Sequence, residues 1–381
     1  MSSTTTRADA PIAVLGAGVA GAAAAARLVE AGLPVQVFDK GRGPGGRCST
    51  RRSETASEPG FDHGAQYFTA RGPRLRARCA EWSASGGVQS WKGPFLRRTA
   101  DGWQEEQPST TRWVGVPGMN QLPRLLLASA PTRFEARVVA LLPGGRLQLA
   151  SGEVLGPFRL ILLTLPPSQA AALVEASPAL ATAAAGVAMV PCITWMVRLA
   201  GVDPVKASAF RDATDEVGWI AREASKPGRD GSSGWVVQMS PAASTRWLES
   251  DEATWRARME PALAEALGRA PVATHSAFHR WRFAQRGDAP ESRPSNAASP
   301  EVLDLDEKLA SFDALWTPHR IARFDGHQLL LAKVEGEFVW HDHSDHDEVF
   351  MPLKGVLTMD LEGGPSRRVE PGQVLVVPAG V

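Results

Sequence analysis

The chain has no net charge: 41 lysines and arginines balance 41 aspartates and glutamates. A protein without an excess of positive charge lacks the field that holds a phosphate backbone, which excludes nucleic acid as the main partner. Arg71, Arg74, Arg76 and Arg78 form a local basic cluster, and this reads as a solvated helix face. Cysteine is scarce as well. Cys48, Cys79 and Cys192 are scattered and form no CxxC pair, which excludes a disulfide framework and fits a reducing cytosol. Residues 1–10 are polar and have no apolar core of the signal-peptide type, so a cytoplasmic protein is expected. Residues 176–197 carry no charge over a length that could cross a bilayer, but small residues dominate and Gly186 and Pro191 interrupt them. A short helix up to Ala185 and a buried strand over 192–199 are expected there, not a membrane span.

What is present is concentrated near the N-terminus. Ile12–Leu15 reads as a short buried strand, followed by Gly16-Ala17-Gly18-Val-Ala-Gly21 and an alanine-rich helix over residues 19–31. In such a unit the first glycine permits the tight turn, the second lets backbone approach a pyrophosphate, and the third lets helix and strand come close. The helix N-terminus offers its free N–H groups and positive dipole end to phosphate. Gly32 and Pro34 end the helix, Val35–Phe38 supply a second strand, and Asp39 follows it. An acid about 20 residues beyond the glycines is placed to accept hydrogen bonds from an adenosine ribose. Together these parts indicate a bound dinucleotide. Gly45-Gly46-Arg47 suits a loop running beside a long, extended pyrophosphate, which favours FAD over a nicotinamide. Cys48 sits beside that loop, and buried packing is its expected role.

At 381 residues, 44% hydrophobic and 22% charged, the chain is an ordinary globular protein of roughly two or three domains. Strand-like and helix-like segments alternate through residue 285. Residues 160–164 are continuously apolar and read as a strand buried on both faces, and residues 119–128 and Glu252–Leu267 as helices. Residues 286–302 are rich in Pro, Ser and Ala and read as a linker. Beyond it, residues 303–381 hold five of the eight histidines. Two residues apart on a strand share a face, so His341 and His343 can point into one cavity, with Glu348 arriving from a neighbouring strand. Two imidazoles and a carboxylate suit Fe(II), Mn(II), Zn(II) or Ni(II), and a hydrophilic surface stretch accounts for the same residues equally well.

Residues 11–285 resemble the renalase-like group of FAD-dependent oxidoreductases in the flavin amine oxidase superfamily. The matching pieces are Ala13-Val-Leu-Gly-Ala-Gly-Val-Ala-Gly21, Phe38-Asp-Lys40, Pro44-Gly-Gly-Arg47, Asp62-His-Gly-Ala-Gln-Tyr-Phe68, Val116-Pro-Gly-Met119, Leu163-Thr-Leu-Pro166 and His279-Arg-Trp-Arg-Phe283. The resemblance implies an α/β protein: a Rossmann-like FAD-binding domain with a substrate domain built on an antiparallel sheet. It implies that Gly16, Ala17, Gly18, Gly21, Asp39 and Lys40 hold the ADP half, with Val139 near the adenine. Gly46 and Arg47 would meet the pyrophosphate, Gly64, Ala65 and Gln66 would run beside the isoalloxazine, and Thr164 and Pro166 would cover the cofactor. It also implies a small-molecule substrate, an amine or a dihydronicotinamide, that gives hydride to the flavin with oxygen as acceptor. No acid or base in the sequence is compelling as a catalytic group, and Arg280 and Trp281 read as packing and pairing residues.

Residues 303–381 resemble part of a small cupin, a strand-lined β-barrel. The resemblance rests on Gly336, His341-Asp-His343, Glu348 and Gly355, then Pro371-Gly372 and Pro378-Ala-Gly380. It implies a divalent metal at His341, His343 and Glu348. The flavin family continues past its His-Arg-Trp-Arg segment to a Gly-Asp loop and a final helix, whereas here Gly287-Asp288 is a bare dipeptide in a proline-rich context. The alternative function is therefore a metal- or ligand-binding cupin carried on a catalytically incomplete flavin-like scaffold.

Overall fold

A computed structural model describes residues 10–53, 58–107, 109–127, 130–201, 205–229, 231–287, 304–324, 327–337, 347–361 and 364–378. The chain divides into two compact units, Met1–Asn296 and Ala297–Val381.

The first unit begins with a four-stranded parallel sheet in the order Thr132–Arg133, Val35–Phe38, Ile12–Leu15, Leu160–Leu163. Alternation along these strands divides their side chains between two layers. Val14, Val35 and Val37 face one way and pack with Ala22 and Ala25 of the helix Val19–Glu30 and with Leu127. Ala13, Leu15 and Phe38 face the other way, onto Leu147 and Leu149 of a three-stranded antiparallel layer and onto Phe158 beyond it. Small alanines let the helix sit low on the sheet, and Gly21 lets it sit lower still. A Cβ on Gly21 would stand 1.9 Å from the Gly16 carbonyl oxygen and 2.7 Å from Thr164 Oγ1. Gly16 itself has φ +114°, a conformation that L side chains rarely adopt.

Residues 160–164 were expected to be buried on both faces; Leu162 packs into one layer and Ile161 and Leu163 into the other, but each is only partly buried. Among the described residues Leu160–Leu163 is the edge of the sheet, pairing only with Ile12–Leu15, and Leu160 is 49% exposed. An apolar run of four residues reports hydrophobic neighbours but not how many strands flank it.

The second layer system is a seven-stranded sheet. Its order is Ala273–Arg286, Met189–Leu199, Gly234–Met239, Val217–Arg222, Ala209–Arg211, Phe95–Thr99, Gly102–Glu105. All neighbours are antiparallel except the parallel pair Ala209–Arg211 and Phe95–Thr99. Helix Glu252–Leu267 packs on it through Trp255, Met259, Leu263 and Leu267, residues three or four apart that make one face. Asp251 caps that helix, accepting from the Thr254 N–H at 2.8 Å, and Gly268 closes it at φ +67°. The strand expected over 192–199 starts earlier, at Met189. Pro191 is accommodated by a bulge between Val190 and Cys192, where no ladder N–H is required. The helix expected over 119–128 is shorter, Gln121–Leu126.

In the second unit the described elements are a helix, Leu305–Ala310, capped by Asp304, and three antiparallel pairs. These are His319–Phe324 with His327–Leu331, Glu348–Phe350 with Leu375–Val377, and Leu357–Met359 with Arg367–Val369. Among the described residues these are three two-stranded pairs; the stretch 338–346, part of the expected cupin barrel, lies outside them. Among the described residues, too, no helix is long and apolar enough to cross a membrane.

The contact of helix on turn can be tested directly. Gly21→Ala should cost about 1–3 kcal/mol of stability, read as a lower urea midpoint by far-UV circular dichroism. An unchanged midpoint would show that helix and turn are not in contact.

Candidate functional site

The glycine turn is held from three sides. Gly16 donates its N–H to the Phe38 carbonyl at 2.8 Å, and Thr164 Oγ1 donates to the Leu15 carbonyl at 2.8 Å. Gly45 donates to the Ala17 carbonyl at 3.2 Å, which presses the second glycine pair onto the first. A Cβ on Gly46 would stand only 3.1 Å from Gly18 Cα. Asp39 completes the arrangement in a way the sequence did not indicate. Its Oδ2 accepts the Ala17 N–H at 2.6 Å, and its Oδ1 accepts the Gly41 N–H at 2.6 Å. The carboxylate thus ties the turn to the end of the second strand, and each oxygen keeps a further lone pair for a ligand hydroxyl.

Helix Val19–Glu30 opens at Gly18 with no capping side chain and no acid in its first turn. Its first N–H groups have no partner within the helix, and they lie at its positive end. Gly18 has φ −78°, which any residue adopts, and a Cβ there would meet nothing closer than 3.8 Å.

The remaining sequence-derived residues fall around this turn unevenly. Lys40 is exposed. Arg47 is exposed, and its Nη1 donates to the Ala284 carbonyl at 3.2 Å. Pro166 precedes the helix Pro167–Ala171. Val139 lies on the strand Val138–Leu142 at a bulge and is 46% exposed. Cys48 is buried, and burial, then the charge of Asp62, pushes its thiol up to about 11, so it stays a thiol.

The loop after the second glycine pair is fixed more firmly. The Arg47 carbonyl accepts the Ala65 N–H at 2.8 Å, and a Cβ on Gly64 would clash with that same carbonyl at 2.1 Å. The Gly64 carbonyl accepts Gln238 Nε2 at 2.8 Å, and the His63 carbonyl accepts Trp281 Nε1 at 2.8 Å. Gln66 donates to the Asp62 carbonyl, and its Oε1 accepts from Lys226 Nζ at 2.9 Å.

Lys226 belongs to a group that sequence reasoning missed. Asp62, Glu223, Lys226 and Arg229 have fully buried side chains and form one ionic network. Lys226 Nζ lies 2.7 Å from Glu223 Oε1 and 3.4 Å from Asp62 Oδ2, while Arg229 pairs with both acids. Asp62 Oδ1 also accepts Thr50 Oγ1 at 2.7 Å and the Met119 N–H at 2.9 Å, and Arg229 Nε donates to the Pro117 carbonyl at 2.8 Å. Burial alone would raise the Asp62 carboxyl, but Arg229, Lys226 and these hydrogen bonds hold it below its usual value. The only local sign was the spacing of Glu223, Lys226 and Arg229, which a surface turn also shows.

His63 sits beside this network. His279 meets it edge-on at 4.7 Å between centroids, and Trp281 stacks on it at 5.1 Å. Burial, then repulsion from His279, lowers the His63 imidazole to about 4, and its buried Nδ1 has no partner. Arg280 pairs with Glu249 at 2.9 Å and lies over the Trp255 ring at 4.9 Å. Packing and pairing describe both Arg280 and Trp281, as the sequence indicated.

For the metal reading, His341 and His343 lie outside the described residues, and Glu348 begins the strand Glu348–Phe350. No group of three His, Cys, Asp or Glu able to hold a metal ion occurs among the described residues.

Known proteins show similar features. A family profile for NAD(P)-binding Rossmann-like domains matches residues 14–82, which span the glycine turn, Asp39 and the Gly64–Gln66 loop. A zeta-carotene-forming phytoene desaturase of Myxococcus xanthus is 66% identical over 38 residues, 10% of this chain and 7% of that protein. The chain therefore spans only a small part of this relative. The fold resembles the crystal structure of a putative protoporphyrinogen oxidase from Exiguobacterium sp. 255-15, with a TM-score of 0.56 and 13% identity over 75% of this chain and 88% of that one. It also resembles cyclohexylamine oxidase from Brevibacterium oxydans IH-35A, with a TM-score of 0.55 and 15% identity over 72% and 85%. At these identities the likeness is one of fold.

Two measurements test the site. Lys226→Met leaves two buried carboxylates facing one guanidinium and should cost about 3–5 kcal/mol, read as a lower urea midpoint; a loss under about 1 kcal/mol would show the network to be solvated. For His63, the folded-state value of about 4 lies below the ordinary 6.5. The unfolded chain therefore binds the extra proton between those values, and stability falls as pH drops through that window. From pH 7 to pH 5 the His63 contribution should fall by about 2 kcal/mol, and His63→Phe should flatten that part of the profile.

Proposed function

We propose that the first unit is a flavin-dependent oxidoreductase that binds FAD and takes hydride from a reduced small-molecule substrate, an amine or a dihydronicotinamide, with oxygen as acceptor. The observation that carries this reading is Gly18. Gly16 is explained by its backbone angle and Gly21 by the carbonyl it would strike, but neither angle nor packing calls for glycine at position 18. A side chain is absent where the uncapped helix N-terminus faces outward, and that is the approach a pyrophosphate needs.

The residues fit the group. The Gly18–Gly21 turn and the helix amides would take the pyrophosphate, with Gly46 and Arg47 adding a close backbone approach and a positive charge. The free lone pairs of Asp39 suit a ribose, and Ala17, Lys40 and Val139 would border the adenosine. Gly64, Ala65 and Gln66 would lie along the ring system, with Thr164 and Pro166 over the cofactor. When bound, FAD supplies the hydride acceptor. The chain's own part is positional: Lys226 holds Gln66, Gln238 and Trp281 hold the 63–64 backbone, and the loop is fixed before any ligand arrives. The fold likeness to oxidases and the profile match support the reading.

The test is optical. Purified protein should be yellow with flavin absorbance, and colourless protein that takes up no added FAD would overturn the proposal. Gly18→Ala should keep its stability within about 0.5 kcal/mol yet lose bound flavin. A Gly18→Ala protein that retains wild-type flavin content would place the cofactor elsewhere.

A further inference from the structure

The 62–66 loop carries one ionisable group outside the ionic network, His63, and that side chain is enclosed by two strands. His63 is 8% exposed. From the strand Ala273–Arg286, Trp281 stacks on its ring at 5.1 Å between centroids, and His279 stands edge-on at 4.7 Å. Arg51, on the strand Thr50–Arg51, sets a positive charge against both imidazoles. The Phe61 carbonyl and the Asp62 charge favour a proton on His63. Asp62, however, is already paired with Lys226 and Arg229.

A neutral imidazole tolerates this setting. A protonated one has two N–H donors to satisfy, and the buried Nδ1 has no partner. Its charge would also face Arg51, and His279 once that ring takes a proton. Acid therefore favours a His63 turned out to water and away from Trp281. The backbone would follow, because residues 63–65 carry the contacts that seat the loop. The His63 carbonyl accepts from Trp281 Nε1, the Gly64 carbonyl accepts from Gln238 Nε2, and the Ala65 N–H donates to the Arg47 carbonyl. We propose that the His63–His279 pair is an acid-operated latch: neutral, it holds residues 63–65 in place for FAD, and protonated, it releases them and the cofactor. The latch rests on the flavin reading and gives that site a control by pH.

In the released loop His63 has its ordinary value of 6.5, against about 4 when held. Between those values protonation favours the released loop, so FAD affinity falls as pH drops through that window. The test is equilibrium binding of FAD to the full-length protein at pH 7 and pH 5, with circular dichroism confirming the fold at both. Wild type should bind FAD about 10-fold more weakly at pH 5. His63→Phe, which keeps a ring on Trp281 but takes no proton, should bind equally at both. His279→Phe should lose less affinity than wild type, and it decides the matter if His63→Phe does not fold. A wild-type loss under about 2-fold, or the same loss in a folded variant, would overturn the latch. Hydrogen exchange of the ligand-free protein separates the latch from the flavin reading. At pH 5, corrected for the intrinsic effect of pH, peptides covering residues 62–68 should exchange faster in wild type than in either variant. Protein that shows this difference but binds no FAD would support the latch on the loop and refute the flavin reading. Equal exchange would overturn the latch whatever FAD does.

Discussion

The first unit depends on four charges that have no access to water. Asp62, Glu223, Lys226 and Arg229 sum to zero, and each charge is answered by partners in the same network. Through Thr50 and Met119 on Asp62, Pro117 on Arg229 and Gln66 on Lys226, the network joins segments far apart in the chain. A buried ion pair adds little net stability over an apolar replacement, but it tolerates no loss of one member. Its effect here is geometric. It fixes where the 62–66 loop lies relative to the seven-stranded sheet, and that loop meets Arg47, the residue after the glycine pair that borders the turn.

Local signals were legible in the sequence and long-range ones were not. The strand Ile12–Leu15, the helix after it, the strand Val35–Phe38 and Asp39 fall within a stretch shorter than 30 residues, where hydrophobic period and glycine spacing suffice. The backbone partners of Asp39 were invisible, because a carboxylate near a turn and one near a ribose look alike in sequence. Lys226 and Asp62 stand 164 positions apart, and no periodicity reports such a pairing. Arg280 and Trp281 were read as lying on a strand, but not its 14-residue extent, Ala273–Arg286: its histidines, arginines and aromatics alternate without a clean apolar face. The edge position of Leu160–Leu163 was hidden because an apolar run does not count its neighbours.

The three glycines of the turn separate two demands that one motif combines. Gly16 and Gly21 answer to the fold, one through its backbone angle and the other through its distance from a carbonyl. Gly18 answers to neither. A motif scored as a unit conceals this division, and only coordinates show which glycine the protein's own packing leaves unexplained.

The outer flank of Leu160–Leu163 has a further consequence. Among the described residues the strand pairs on one side only, so the backbone groups along its other side form a template to which an extended segment can add without disturbing the four strands already there. Among those residues the parallel sheet is therefore open beyond Leu160–Leu163, the strand that runs directly into Thr164. Whatever chain occupies that side would rest within one residue of the hydroxyl that pins the glycine turn.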